Sequence, residues 1–206
     1  MTGKTAVLPI CTFGNIVYYS HYLLADKVIL DRFEHYPKQT FRNRYEILGP
    51  NGRQGLTVPV TGQKGIKTPF REIEIDYRED WQTIHWRSIV TAYQRSPFFE
   101  FYKDELKEVL FSKSEKLIDF NLGTHNLLKS WINLENEEIF TDKYFEGECD
   151  WDLRESFKPS KVSVENAAYL QVFSDRHPFA HNLSVLDLVF NLGTQSKEYL
   201  KREKSN

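Results

Sequence analysis

The sequence predicts an α/β fold: a Rossmann-like N-terminal βαβ unit carrying a β-hairpin and a helical middle region. Two short continuous apolar runs, Thr5–Pro9 (TAVLP) and Lys27–Arg32 (KVILDR), flank one stretch with helical periodicity. Unbroken apolar runs of this length suit strands buried on both faces, as a parallel sheet requires. A third observation, Asn51-Gly52 inside GPNGRQG, marks a tight turn and adds an antiparallel hairpin.

The elements follow in order. Thr5–Pro9 is the first strand, ended by proline. Asn15 caps a helix running to about Ala25, with Val17, Tyr18, His21, Tyr22, Leu24 and Ala25 as its apolar stripe. Lys27–Arg32 is the second strand, and strand, helix and strand in close succession give a right-handed crossover. Glu34–Arg44 is polar, aromatic and basic, and reads as a loop. Tyr45–Leu48 and Leu56–Val60 form the hairpin, Gly62–Pro69 is a loop, and the alternation in Phe70–Ile75 (FREIEI) predicts a half-buried strand. Helices are expected over Trp81–Gln94, Phe98–Leu110 and Lys116–Trp131. Trp151–Ser163 reads as a long loop and Leu170–Ser174 (LQVFS) as a late strand. Val185–Leu192 is a helix begun by Ser184 and stopped by Gly193. No internal repeat or low-complexity tract is seen.

A chain of 206 residues is expected to form a single domain spanning 1–206. With 15 Phe, 11 Tyr and 4 Trp it has more than enough aromatic surface to fold, and some of it is expected to line a groove. A formal charge of -2 argues against nucleic acid as a partner. The basic C-terminal run Lys197, Lys201, Arg202 and Lys204 reads as a solvated helix end. Two distant cysteines make no disulfide framework and no zinc site, so the expectation is a cytoplasmic protein without a metal. No apolar run approaches the length of a membrane span. Neither GxxxxGK[ST] nor GxGxxG occurs.

Two polar clusters carry the candidate chemistry. The first is His35, Tyr36, Lys38, Gln39, Arg42, Asn43 and Arg44, which follows a predicted strand. Arginine and lysine suit phosphate or carboxylate groups, and Asn, Gln and His suit sugar hydroxyls. The plain alternative is a solvated loop. The second cluster is Asp175, Arg176, His177, His181, Asn182 and Asp187. A catalytic histidine needs a carboxylate within hydrogen-bond reach, and Asp175 or Asp187 would supply it. Alternatively Asn182 and Ser184 only cap the next helix. His85 lies on an apolar helix stripe, where a core role is the simpler reading. Cys11 precedes a helix, where a thiolate nucleophile is one reading and a packing residue the simpler one.

Three segments carry a family resemblance. Residues 5–60 hold a strand ending in proline, an aromatic helix, an Ala-Asp, the residues Tyr36, Lys38, Gln39, Arg42, Asn43 and Arg44, and a hairpin closing on LTVPV. Residues 81–102 include SPFFEFY, and residues 169–192 hold NLSVLD after a loop with proline and phenylalanine. The combined order resembles the WbqC-like family. That resemblance implies a role in bacterial surface-polysaccharide (O-antigen or capsule) biosynthesis, with a sugar or sugar nucleotide as partner. It implies transfer of an acyl or aminoacyl group to an amino sugar, with a non-catalytic sugar-nucleotide-binding or scaffold protein as the alternative. It names no cofactor and no oligomeric state.

On this reading His177 or His181 is the base oriented by Asp187, and Arg42, Asn43 and Arg44 hold an anionic group, with His35, Tyr36, Lys38, Gln39 and Asn182 also on the substrate. Both clusters follow predicted strands, and loops after parallel strands gather on one edge. The two are therefore expected to meet.

Overall fold

The structure, a computed structural model, describes residues 3–61, 68–159 and 165–203. Most of the predicted loop at Gly62–Pro69, the end of the one at Trp151–Ser163, and Lys204 lie outside the described residues. The fold is α/β. Strands β1 (Thr5–Leu8), β2 (Lys27–Leu30), β5 (Glu137–Phe140) and β6 (Trp151–Asp152) form a parallel sheet in the order β5-β2-β1-β6. Strands β3 (Arg44–Gly49) and β4 (Gly52–Thr57) pair antiparallel in a separate hairpin.

Helix α1 (Ile16–Leu24) connects β1 to β2, capped by Asn15, whose Oδ1 accepts from Tyr18 N at 2.8 Å. Ala6, Leu8, Val28 and Leu30 point from one face of the sheet into the main core, while Val7 and Ile29 are buried on the other. This two-sided burial is why both runs are apolar at every central position. Helices α2 (Trp81–Tyr93), α3 (Phe99–Leu110) and α4 (Leu117–Ile132) build the helical middle. Helix α5 (Val185–Leu192) starts at its Ser184 cap, and Gly193 ends it with φ +55; a Cβ there would sit 2.7 Å from the Phe98 ring. Helix α6 (Ser196–Arg202) is the C-terminal helix with the basic last turn. In the hairpin the positive φ falls on Gly52 (+99), after Pro50 and Asn51 make the turn. That is the pattern of a turn followed by a bulge glycine.

Three expectations are corrected. Leu170–Ser174 is not a strand but a series of turns, closed by Ser174 N to Gln171 O (3.1 Å) and His177 N to Phe173 O (2.9 Å). Leu170 is 76% exposed, so the run offers no second buried face. Phe70–Ile75 is a 3-10 turn (Phe70–Glu72) followed by single bridges at Glu74 and Ile75. Its alternation arose because Phe70, Ile73 and Ile75 are buried, the first two joined by the turn bond Ile73 N to Phe70 O (3.1 Å). The segment expected to be one long loop from Trp151 begins with β6, and β5 had no counterpart in the sequence reading. The β5 sequence EEIF looked polar because Glu138 faces inward, where His125, Lys129 and Tyr22 bind its carboxylate. No helix among the described residues is long and apolar enough to cross a membrane.

Candidate functional site

In a parallel sheet the loops leaving the carboxyl ends gather at one edge. Here those loops are joined through Asp31, the first residue after β2. Its buried carboxylate accepts from Phe33 N (2.9 Å) and Thr141 Oγ1 (3.0 Å) on one oxygen. The other oxygen accepts from Phe145 N (3.2 Å) and Arg154 Nη1 (2.6 Å). Thr141 and Phe145 follow β5, and Arg154 follows β6. Arg154 also grips Asp152 through Nε (3.0 Å) and Nη2 (2.6 Å), and its guanidinium lies 4.5 Å from the Tyr144 ring. The hydrogen bonds from Arg154 hold the Asp152 carboxyl below its usual range.

A second ion pair backs this one. Arg42 is completely buried and binds Glu34 in a fork, Nε to Oε1 at 2.6 Å and Nη2 to Oε2 at 2.5 Å. Its Nη2 also donates to the Arg154 carbonyl at 2.8 Å. Burial pushes the Glu34 carboxyl up, and Arg42 pulls it back. Asn121 of α4 ties the same wall to the loop after β1, donating to the carbonyls of Ile10 (2.9 Å) and Arg42 (2.6 Å).

These groups wall a cleft of about 470 Å³ lined by Glu34, His35, Tyr144, Asp152, Arg154 and Glu155. The lining holds three carboxylates and one guanidinium, and each carboxylate is paired: Glu34 with Arg42, Asp152 with Arg154 and Glu155 with Lys158. The lining is acidic, with one exposed histidine and one aromatic face. Such a surface suits an ammonium and sugar hydroxyls better than phosphate.

Each residue of the first sequence cluster has a definite place. His35 is exposed and lines the cleft. Tyr36 stacks on Phe70 with ring centroids 5.9 Å apart, and burial pushes its phenol up to about 12. Lys38 and Gln39 are exposed, Gln39 with φ +59. Arg42 is committed to Glu34. Asn43 closes the open end of the hairpin, its Nδ2 donating to Val58 O at 3.0 Å. Arg44 begins β3, opposite Thr57.

The second cluster packs at the other end of the hairpin. His177 bonds through Nε2 to Pro50 O (2.9 Å), and His181 through Nδ1 to the main chain of Asn166 (3.1 Å). Asn182 has φ +51 and accepts from Val17 N at 3.1 Å, a stitch to the first turn of α1. Asp187 is fully buried and accepts from Tyr169 (2.6 Å) and Gln171 (3.1 Å). Among the described residues no hydrogen bond or ion pair joins Asp187 to His177 or His181, or residues 35–44 to residues 175–187. The expected meeting depended on Leu170–Ser174 lying parallel in the sheet; the place beside β1 is taken by β6. The residues that do reach the edge with His35 are Asp31, Glu34, Tyr144, Asp152, Arg154 and Glu155. Asp31 was legible, standing at the carboxyl end of an apolar run, whereas Trp151–Asp152 is too short for any periodicity.

Burial weighs against two further candidates. Desolvation pushes the Cys11 thiol up to about 12, only partly offset by Arg42, so the thiolate is scarce near neutral pH. Burial lowers His85 to about 4, and its Nδ1 meets Tyr45 Oη at 3.0 Å. Among the described residues no three His, Cys, Asp or Glu side chains gather as a metal site would need.

Fold and cleft together describe an α/β protein with a polar cleft at the carboxyl edge of a short parallel sheet. The chain belongs to the WbqC-like protein family, whose model matches residues 13–154 and so takes in α1, β2, the hairpin, the helical middle and Arg154. It is also similar to an uncharacterized protein of Mycobacterium tuberculosis, 21% identical over 89% of this chain and 91% of that one. No solved structure matches it.

Proposed function

We propose that this protein acts in bacterial surface-polysaccharide biosynthesis, the process that family membership suggests, and that it transfers an acyl or aminoacyl group to an amino sugar held in the sheet-edge cleft. The observation that carries the reading is the acidic lining: Asp152 and Glu155 for an ammonium and hydroxyls, with Tyr144 as a platform for the sugar ring. For the amine to react it must shed its proton, and His35 is the group in the cleft suited to take it. The amine nitrogen then bonds to the acyl carbon of an activated donor, and the donor's leaving group departs with the bonding electrons. In this reading Arg42 and Glu34 keep the wall in place, His177 holds the C-terminal segment to the hairpin, Asn182 ties it to α1, and His181 and Asp187 brace it from within.

Deleting the gene should change the mass of one sugar substituent in the surface glycan. Complementation by the wild type should restore it. His35→Gln and Asp152→Asn, expressed to the same level, should not. An unchanged glycan in the deletion strain would sink the proposal. The scaffold alternative draws on a different feature, a groove of about 680 Å³ beside β2 and β5 lined by Ile29, Ile139, Phe140 and Tyr144. A glycan restored by both variants would favour it.

A further inference from the structure

The loop after β2 has a second groove on its other side. It encloses about 260 Å³ and is lined by Arg32, Phe33, Arg71, Lys116, Asp119 and two aliphatic side chains of α4. Its three cations come from three separate segments: Arg32 after β2, Arg71 in the 3-10 turn, and Lys116 just before α4. Bringing like charges together from distant parts of the chain costs Coulomb energy that an interposed anion would offset.

The existing partners fill that capacity only in part. Among the described residues Arg32 pairs with no carboxylate; its Nε donates to Thr141 O at 3.3 Å and the rest of its fork is uncommitted. Arg71 sits over Phe33, guanidinium carbon 4.5 Å from the ring centroid, which holds the fork in place without using its donors. Its contact with Glu72 is long, 3.8 Å, and half-exposed on both sides. Lys116 is shared by Glu74 (2.8 Å) and Glu115 (3.6 Å). Asp119 is the one carboxylate in the lining, so the lining itself holds three cations to one anion, with Glu72, Glu74 and Glu115 pairing Arg71 and Lys116 from outside it.

We propose that this groove binds a phosphate or pyrophosphate group. Two guanidinium forks and one ammonium match the needs of phosphoryl oxygens. Phe33 lines this groove while its neighbours Glu34 and His35 line the acidic cleft, so three consecutive residues separate the two. A phosphorylated amino sugar would reach both. That extension rests on the amino-sugar reading; the anion site itself does not.

The test is titration calorimetry of the full chain with inorganic pyrophosphate and, separately, uridine diphosphate. Saturable binding is expected. Arg32→Gln and Arg71→Gln should each weaken it by about tenfold or more, the scale of one lost charge-assisted contact. Asp119→Asn should strengthen it. Lys201→Gln, the same change of charge on α6, should leave it unaltered. Tighter binding of uridine diphosphate than of pyrophosphate assigns the groove to a nucleotide-bearing ligand, and equal affinities assign it to the free anion. Wild-type protein that binds neither probe saturably overturns the proposal, as does equal weakening by Lys201→Gln and Arg32→Gln. Loss of amino-sugar binding on Asp152→Asn with pyrophosphate binding intact would separate this site from the cleft.

Discussion

Arg154 Nη1 lies 2.6 Å from Asp31 Oδ2, and through that bond the loop after β6 is fastened to the loop after β2. The two residues are separated by more than half the chain, yet each stands just beyond the carboxyl end of a parallel strand. The pair therefore fixes the shape of the sheet edge as well as its charge.

Arg154→Met should destabilise the protein by about 3 kcal/mol, the lower end for breaking a buried pair, because Asp31 keeps three other donors. The double variant Asp31→Asn/Arg154→Met should recover part of the loss. Urea unfolding checks both. Additive losses in the double variant would show that the two side chains are not coupled.

The Arg42–Glu34 pair is deeper still, with side chains 0% and 5% exposed. Removing either partner alone leaves an uncompensated charge, so Arg42→Met or Glu34→Leu should cost about 3–5 kcal/mol. Replacing both with apolar residues should cost much less. If the single variants unfold at the wild-type urea midpoint, the pair carries no such role.

The helix Val185–Leu192 was legible to the residue, because Ser184 and Gly193 punctuate it and every turn between is apolar. The strands β1 and β2 were legible for a similar reason, their burial on both faces leaving an unbroken apolar run. The sheet edges were not. β5 hides an inward Glu138, and β6 has two residues, so neither carries a period. The same blind spot hid much of the cleft: His35 was found, but Asp152, Arg154 and Glu155 lie in what read as a loop. Arg42 drew notice as a cation, yet its meaning depends on Glu34 eight residues earlier, which spacing alone does not reveal.

Thiol labelling should separate the two cysteines. Cys11 is buried with its thiol pushed up to about 12, whereas Cys149 is partly exposed. In folded protein at pH 7.5 a disulfide-exchange reagent should label about one thiol per chain, with the second released only on denaturation. Rapid labelling of Cys11 in the native state would restore it as a candidate nucleophile.

Acid should loosen the contact between α4 and β5. Burial alone would push the Glu138 carboxyl up, but hydrogen bonds from His125, Lys129 and Tyr22 hold it at about 2. A depressed carboxylate stabilises the fold above its unfolded value near 4.5, and that stability is lost as pH falls toward 2. Glu138→Gln should therefore be less stable than the wild type at pH 7 by about 1–3 kcal/mol, the range for hydrogen bonds to charged groups. The difference should shrink toward pH 3. A constant difference across that range, followed by circular dichroism in urea, would contradict the assignment.

Asp187 should behave in the opposite sense. Its carboxyl is raised by burial, although Tyr169, Tyr93 and Gln171 pull against the shift. A raised carboxyl means that the native state keeps its proton to higher pH than the unfolded chain does. Stability then falls as pH rises from the unfolded value near 3.8 through the folded one. The geometry offers an amide substitute. Tyr169 and Gln171 both donate to Oδ2, which an amide oxygen can replace, while Oδ1 accepts from neither and its position can take the amide nitrogen. Asp187→Asn should thus match the wild type near pH 4 and exceed its stability at pH 8. Asp187→Ala should be less stable at both, because it leaves the Tyr169 and Gln171 donors unpaired, at about 1–3 kcal/mol for each buried group. Unfolding curves of wild type and Asp187→Asn that stay parallel from pH 4 to pH 8 would show that the carboxyl is ionised throughout, and that its burial is offset by contacts other than those with Tyr169 and Gln171.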